Sequence, residues 1–351
     1  MSRIIEEDSA PRRSVSKLGH RKQRPPTSAD VARLAGVSRA TVSFVLNDAP
    51  DSRITEETRA RVLAAAETLG YVPNAVASTL AAGRSQLVLI PFYHLPYSQI
   101  QSIAYDHIAE RLTELGYTVL FHKDRLVHSK EAAKHWASLR PVAVIAEPHQ
   151  LTDQAVEILH KAGISALVPE NMIAPESDVQ ATLEEAGVTA AEHLIASGHQ
   201  RLGVVVPRDP LLLPVGLARL EGACKIGQIH GVTVERIDLA LDERDAFVLA
   251  QRWWRSSHPS GVFAYNDEYA MLLMRALQDL GMGIPGDIAV VGCDNLPLCN
   301  FLRPRLTSIW PQPEETGRVI ADRIHDVIMG RNLSPASQSL QRLKLIIRES
   351  S

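Results

Sequence analysis

The chain has 351 residues, of which 45% are hydrophobic and 22% charged, with a formal net charge of −3. That length suits two or three packed units, and the composition is that of an ordinary globular protein rather than a disordered or fibrous one. No apolar run approaches the ~20 residues of a membrane-spanning helix, and the N-terminal MSRIIEEDSAPRRS lacks the apolar stretch of a signal peptide. Cys224, Cys293 and Cys299 have no metal-ligand spacing. An odd count in an unexported chain reads as reduced, buried thiols, so we expect a cytoplasmic protein with no metal, no cofactor and no membrane partner. The charge is unevenly spread: residues 1–85 carry 13 Lys+Arg against 9 Asp+Glu, the remainder 24 against 31. A basic head on an acidic body suggests that the head approaches a polyanion.

Residues 1–25, rich in Arg, Lys, Ser and Pro without periodicity, read as a disordered basic arm. From 26 to 72 the chain reads as a helix-turn-helix head. Thr27 or Ser28 caps a helix with apolar positions Val31, Leu34 and Ala35, and Gly36 supplies the turn. Ser38 caps a second helix to about Asn47, and Thr55 starts a third that ends at Leu69-Gly70. On a wheel of about 100° per residue the second helix turns Val42, Val45 and Leu46 inward. Arg39, Ala40, Thr41 and Phe44 face outward. An outward Phe has no reason in folding and wants a partner surface. Residues 73–85 form a small-residue connector, and its helix from Asn74 to about Ala81 is too short to be stable alone.

From Leu87 the pattern changes. Short apolar runs (LVLIPF, TVLFH, VAVIAE, SALVPE) alternate with amphipathic stretches such as IQSIAYDHIAERLTELG and DQAVEILHKAG. The alternation restarts at RLGVVVP and continues through GVFAYN and DIAVVGCDN, with EEAGVTAAEHLIASGH and DEYAMLLMRALQDLGMG as helices. Such alternation predicts parallel sheets covered by helices, in two similar α/β blocks over roughly 86–180 and 181–308.

The segment TSADVARLAGVSRATVSFVLN closely resembles the head of the lactose/galactose repressor (LacI/GalR) family of bacterial transcription regulators. The likeness runs on through ITEETRARVLAAAETLGYVPNAVASTLAAGRS, then EHLIASGHQRLGVV, FAYNDEYAMLLMRAL, GIPGDIAVVGCDN and PRLTSI, and leaves out only the arm. It implies a helix-turn-helix head, a hinge helix over 73–85 and a two-lobe core like a periplasmic binding protein over 86–351. The first lobe would be about 86–180 plus 309–325, the second about 181–308 plus 326–351.

The resemblance assigns the second helix to the major groove, with Arg39 and Ala40 as the main specificity pair. Phe44 stands where relatives often carry a base-bonding arginine. It cannot make the bidentate contact to guanine but can pack on a thymine methyl or sugar edges. Thr27, Ser38, Thr41, Ser43 and Asn47 match positions that contact phosphates or bases. Leu80 matches a leucine that wedges a minor-groove base step, flanked by contacts at Ala77 and Asn74. In the core, a cleft between the lobes would hold a small effector, sugar-like or another metabolite, at strand C-termini. Its candidate residues are Tyr93, His94, Tyr97, Arg219, Asn266, Asp267, Asp294 and Trp310. Thr182-Leu183 and Cys293 depart from the usual pattern, which argues against a copy of a well-known sugar site.

The expected protein is therefore a ligand-responsive repressor that binds double-stranded, pseudo-palindromic operator DNA as a homodimer. The end LKLIIRESS, without a heptad tail, favours a dimer over a tetramer. A binding-protein-type sensor with a vestigial head is the alternative. An enzyme is disfavoured, because the sequence has no G-x-S-x-G elbow, P-loop, metal-spaced His cluster or dinucleotide fingerprint.

Overall fold

The structure is a computed structural model that describes residues 24–46, 54–72, 85–92, 98–123, 130–164, 166–331, 333 and 343–351. The arm up to residue 23, Asn47, the expected hinge helix with Asn74, Ala77 and Leu80, and Tyr93, His94 and Tyr97 lie outside the described residues. The chain divides into two compact units, Met1–Gly83 and Arg84–Ser351.

The first unit contains three helices, α1 (Ser28–Ala35), α2 (Arg39–Leu46) and α3 (Glu56–Leu69). Thr27 caps α1 together with Asp30, whose Oδ2 accepts from the Thr27 N–H at 2.9 Å and hydroxyl at 2.6 Å. Gly36 turns the chain at φ 66, in the left-handed region that costs glycine least. Val31, Ala32, Ala35, Val42, Val45, Val62, Ala65 and Ala66 form the small core, with Leu46 half-buried against it. Leu34, expected inside, is 54% exposed, and Ala32 takes the inward place. In an eight-residue helix against two partners, the 3.6-residue period admits 31, 32 and 35 together and leaves 34 outside.

The second unit holds two sheets. The first, in the order β2-β1-β3-β4, is parallel: β1 (Leu87–Phe92), β2 (Thr118–Lys123), β3 (Ala143–Ala146) and β4 (Ala166–Pro169). Period-two alternation divides its side chains between two faces. Val88 and Ile90 join Ile108 and Leu112 of α4 (Gln99–Glu114). Leu89 and Val144 meet Trp136 of α5 (Lys130–Ser138) and Leu159 of α6 (Asp153–Lys161). A short α7 (Glu170–Ile173) follows β4 directly.

The second sheet runs β10-β9-β8-β7-β5-β6, from β5 (Arg201–Pro207), β6 (Thr233–Leu239), β7 (Gly261–Phe263), β8 (Ala289–Cys293), β9 (Thr307–Trp310) and β10 (Lys344–Ile346). Among the described residues only β10 pairs antiparallel. One face packs on α8 (Glu176–Ala196) and α9 (Leu213–His230), the other on α10 (Glu243–Arg255) and α11 (Asp267–Asp279).

The chain passes between the sheets at places that differ from the expected ones. Thr307–Trp310 belongs wholly to the second sheet, bonded to β8 in parallel register. The whole of α12 (Pro313–Ile328) then packs on the first, because its stripe Ile320, Ala321, Ile324, Val327 and Ile328 completes the core around α4. The chain returns at β10. Segments 309–310 and 326–328 therefore sit in the opposite lobe from the one expected.

Helices α8 and α9 cross at backbone contact. A Cβ on Gly187 would collide with the carbonyl oxygen of Arg219, and one on Gly222 with that of Glu184. Neither backbone can yield without separating the helices, so overpacking should cost about 1–3 kcal/mol or more. We predict that Gly187→Ala and Gly222→Ala each lower the urea midpoint of unfolding, whereas Gly286→Ala, which meets nothing within 4 Å, leaves it in place.

Candidate DNA-reading helix and effector site

Ser38 caps α2 by accepting from Thr41 N–H at 3.1 Å, and the two hydroxyls lie 2.9 Å apart. Capping with hydroxyls leaves the first turn without an acidic side chain, and that end favours an anion such as phosphate. Val42 and Val45 are buried, whereas Arg39, Ala40, Ser43 and Phe44 are exposed and Thr41 is half-buried. Phe44 is 51% exposed and lies outside the core cluster formed by the described residues of its unit. Thr27 lies at the N-terminus of α1. Its hydrogen bonds to Asp30, with help from Arg33 at 2.9 Å, hold that carboxyl below the usual range.

In the second unit, chemistry gathers where parallel strands end. Asp294 follows β8 with φ 104 and Asn295 with φ 48, two consecutive non-glycine residues in left-handed backbone. Such residues cost of order 1–3 kcal/mol each and persist only when neighbours over-determine them. Asp294 N–H donates to the Ile309 carbonyl at 2.8 Å and Asn295 N–H to Ser308 Oγ at 2.9 Å. Burial pushes the Asp294 carboxyl up to about 7, although Arg219 pulls it back.

Arg219, from α9, is buried beneath this turn. Its Nη1 donates to the Tyr265 carbonyl, its guanidinium carbon lies 4.9 Å from the centroid of the Tyr265 ring, and its Nε–H meets no acceptor among the described residues. Burial works against its charge. The acidic groups of Cys293, Asp294, Tyr265 and Asp267 outweigh burial and raise its pKa further. Tyr265 is pushed up to about 12 by burial and stacks edge-on to Tyr269 at 5.4 Å. Cys293 is buried, and burial pushes its thiol up, out of the reactive range.

Asp267 opens α11 after β7, where the sequence reading had it, but its side chain is buried. It is 0% exposed, and its oxygens accept from Ser308 Oγ at 2.6 Å, Leu296 N–H at 2.7 Å and Cys299 Sγ at 3.1 Å. Burial raises this carboxyl, and those three hydrogen bonds pull it back. It ties α11, the turn after β8 and β9 together. Asn266 is half-buried and caps α11 by accepting from Tyr269 N–H at 3.1 Å. Trp310 is half-buried at the end of β9, beside the passage into α12.

The sequence reading also missed residues. A cavity of about 560 Å³ is lined by Arg208, Asp209, Pro210, Leu212, Ala240, Leu241 and Tyr269, at the ends of β5 and β6. The signal was present in RLGVVVPRDP, a buried strand that releases two opposite charges at its C-terminus. In the first sheet, Glu147 and Glu170 follow the paired strand ends Ala146 and Pro169. Burial, and then Glu147, raises the Glu170 carboxyl.

Comparison with known proteins decides the family. Residues 27–74 match the profile of the bacterial regulatory proteins of the lacI family, and residues 191–351 match a periplasmic binding protein-like domain. The HTH-type transcriptional regulator GalR of Salmonella typhimurium is 30% identical, over 81% of this chain and 84% of that protein. The chain belongs to the lacI family. The HTH-type transcriptional repressor PurR of Photobacterium profundum is 26% identical over 87% of this chain and 93% of its own length. The lac repressor dimer bound to operator and the anti-inducer ONPF superposes with a TM-score of 0.68 at 27% identity, over 93% of this chain and 99% of the other. The lacI-family chain is thus a ligand-responsive, DNA-binding transcription regulator with a helix-turn-helix head and a two-lobe α/β core. Among the described residues no helix is long and apolar enough to cross a membrane.

The Asp294 carboxyl gives a pH test of the site. Its folded value of about 7 lies above the ordinary 3.8, so between the two the folded chain keeps a proton that the unfolded chain has lost. Stability is therefore subtracted as pH rises through that window, and the whole penalty stands above it. Asp294→Asn removes the titration. The melting temperature of the variant minus that of the parent should rise from about pH 4 to about pH 7 and level off above. Thermal unfolding across that range checks it, and a difference flat in pH would contradict the burial of Asp294.

Proposed function

We propose that α2 reads operator DNA from the major groove through Arg39, Ala40 and Phe44, while Thr27, Ser38, Thr41, Ser43 and Asn47 seat the phosphate backbone. The observation that carries this reading is Phe44, half in solvent on the outer face of a helix whose other apolar side is already satisfied. In this reading Phe44 covers a thymine methyl or sugar edge, so it reads by shape rather than by hydrogen bonds. Asn74, Ala77 and Leu80 belong to the same proposal as minor-groove contacts of a hinge helix.

The regulator acts as a homodimer in the cytoplasm and works by binding, not by catalysis. The dimeric, operator-bound state of the lac repressor supports the assembly, and the relatives' identity as regulators supports the absence of turnover. Its effector is a sugar-like or other small metabolite that lies against Arg219, Asn266, Asp294 and Trp310, with Tyr93 and Tyr97 from the first lobe. The 560 Å³ cavity at the ends of β5 and β6 supplies further wall, and its size suits a small polar molecule. Effector and operator then change each other's affinity by one common factor.

Phe44→Arg should leave the head folded and shift the preferred operator toward a G·C pair at one symmetric position, with about 1–3 kcal/mol of discrimination. Selection from a randomised operator library, alongside circular dichroism, measures both. An unfolded head would show that Phe44 faces the core. An unchanged operator would remove Phe44 from the reading face.

A further inference from the structure

The turn after β8 is gripped by a side chain from the far end of the sequence. Arg348, just beyond β10, donates from its backbone N–H to Thr307 Oγ1 at 2.9 Å. Its guanidinium donates from Nη2 to Asn295 Oδ1 at 2.6 Å, from Nε to Asn300 Oδ1 at 3.0 Å and from Nη1 to the Leu306 carbonyl at 2.7 Å. Among the described residues Arg348 makes no ion pair, so its fork serves neutral acceptors on one stretch of chain, 295–306. A planar fork fixes direction as well as distance, which a lysine point charge does not. Asn295 is left-handed at φ 48 and follows Asp294 at φ 104. The grip on the Asn295 amide therefore falls one residue from the group that the effector reading needs most.

We propose that Arg348 is a positioning residue of the effector site, which holds Asn295 in its left-handed conformation and so sets where the Asp294 carboxylate points. The inference rests on the assignment of Asp294 to that site. The same guanidinium reaches Asn300, beside the exposed Phe301, so it spans the turn from Asn295 to Asn300. Asp294 faces Arg219 from α9, Asp267 and Glu268 from α11, and Cys293 on its own strand. Arg348 also acts through its charge on Asp267, and Arg348→Lys keeps that charge, so the part of an Asp294 shift that Arg348→Lys does not recover reports position.

The test uses the full-length protein with Asp carboxyl carbons labelled for NMR, the Asp294 resonance being the one that Asp294→Asn removes. In the parent it should titrate near 7. Arg348→Ala should lower that midpoint by about one unit or more as the carboxylate swings toward water, and Arg348→Lys should recover part of it. In parallel, iodoacetamide should label Cys299, buried behind the turn, about tenfold faster in Arg348→Ala. Arg305→Ala, which removes an exposed ion pair to Glu349 on the same tail, should change neither. A midpoint near 7 that survives Arg348→Ala, or one that Arg305→Ala lowers equally, overturns the role of Arg348. A parent midpoint near the ordinary ~4 instead overturns the burial of Asp294, and with it the site on which the proposal stands.

Discussion

A carboxylate with no exposed surface organises the functional end of the second sheet. Burying an unpaired charge is expensive, and Asp267 persists because three donors surround it: a serine hydroxyl on β9, a backbone N–H after β8 and the Cys299 thiol. Each donor belongs to a segment that must be in place before the carboxylate is satisfied. Asp267 therefore makes the positions of α11, β9 and the intervening turn conditional on one another. Removing one side of such an arrangement is costly because the others are left facing an unmet group. The glycine at 292 belongs to the same constraint, since a Cβ there would meet the Asp267 carboxylate.

With that scaffold fixed, the polar groups at the strand ends have little freedom. Arg219 is buried against Tyr265, yet one N–H of its guanidinium lacks an acceptor among the described residues. Asp294 stands above it with a carboxyl that burial pushes to about 7. The two are near enough to influence each other without forming an ion pair among the described residues. A site of this kind offers a donor and a titratable acceptor to a ligand that supplies the complement of each. Cys293, where relatives often place an aromatic ring, adds volume rather than a stacking face. Its thiol is too strongly held as S–H to act as a nucleophile or metal ligand.

The head was legible in the sequence because its determinants are local. Thr27, Gly36, Ser38, Thr55 and Gly70 punctuate three helices, and each acts within four residues of itself. The buried central strands were equally plain as short apolar runs. The edge strand β6 was not, because TVERIDL is mostly polar and exposed. Helix α9 hid for the opposite reason: Gly216, Gly222 and Gly227 let it approach neighbours on several sides, which erases the amphipathic stripe. The burial of Asp267 was not legible because sequence adjacency to Asn266 suggested a shared role. One step along a helix turns the side chain by about 100°, enough to send one to a cap and the other into the core. Arg348 gave no sequence signal, since its partners lie 41 to 53 positions away.

The charge distribution adds a last constraint on how the two units divide the work. The first 85 residues carry a net of +4 and the rest a net of −7. Attraction to DNA thus comes from the head alone, and the body opposes it at long range. At physiological salt, charges beyond about 8 Å are largely screened, so this opposition fades while short-range phosphate contacts survive. Sequence-independent attraction is then set by how many of the head's 13 lysines and arginines reach phosphates and release counterions. In the proposed reading, Phe44 in place of a base-bonding cation leaves one charge fewer on the reading face. If α2 reads DNA as proposed, operator selectivity leans on shape, apolar contact and DNA deformability at the Phe44 position rather than on charge. An effector acting on the body then has the head's electrostatic affinity to overcome when it changes the state of the head.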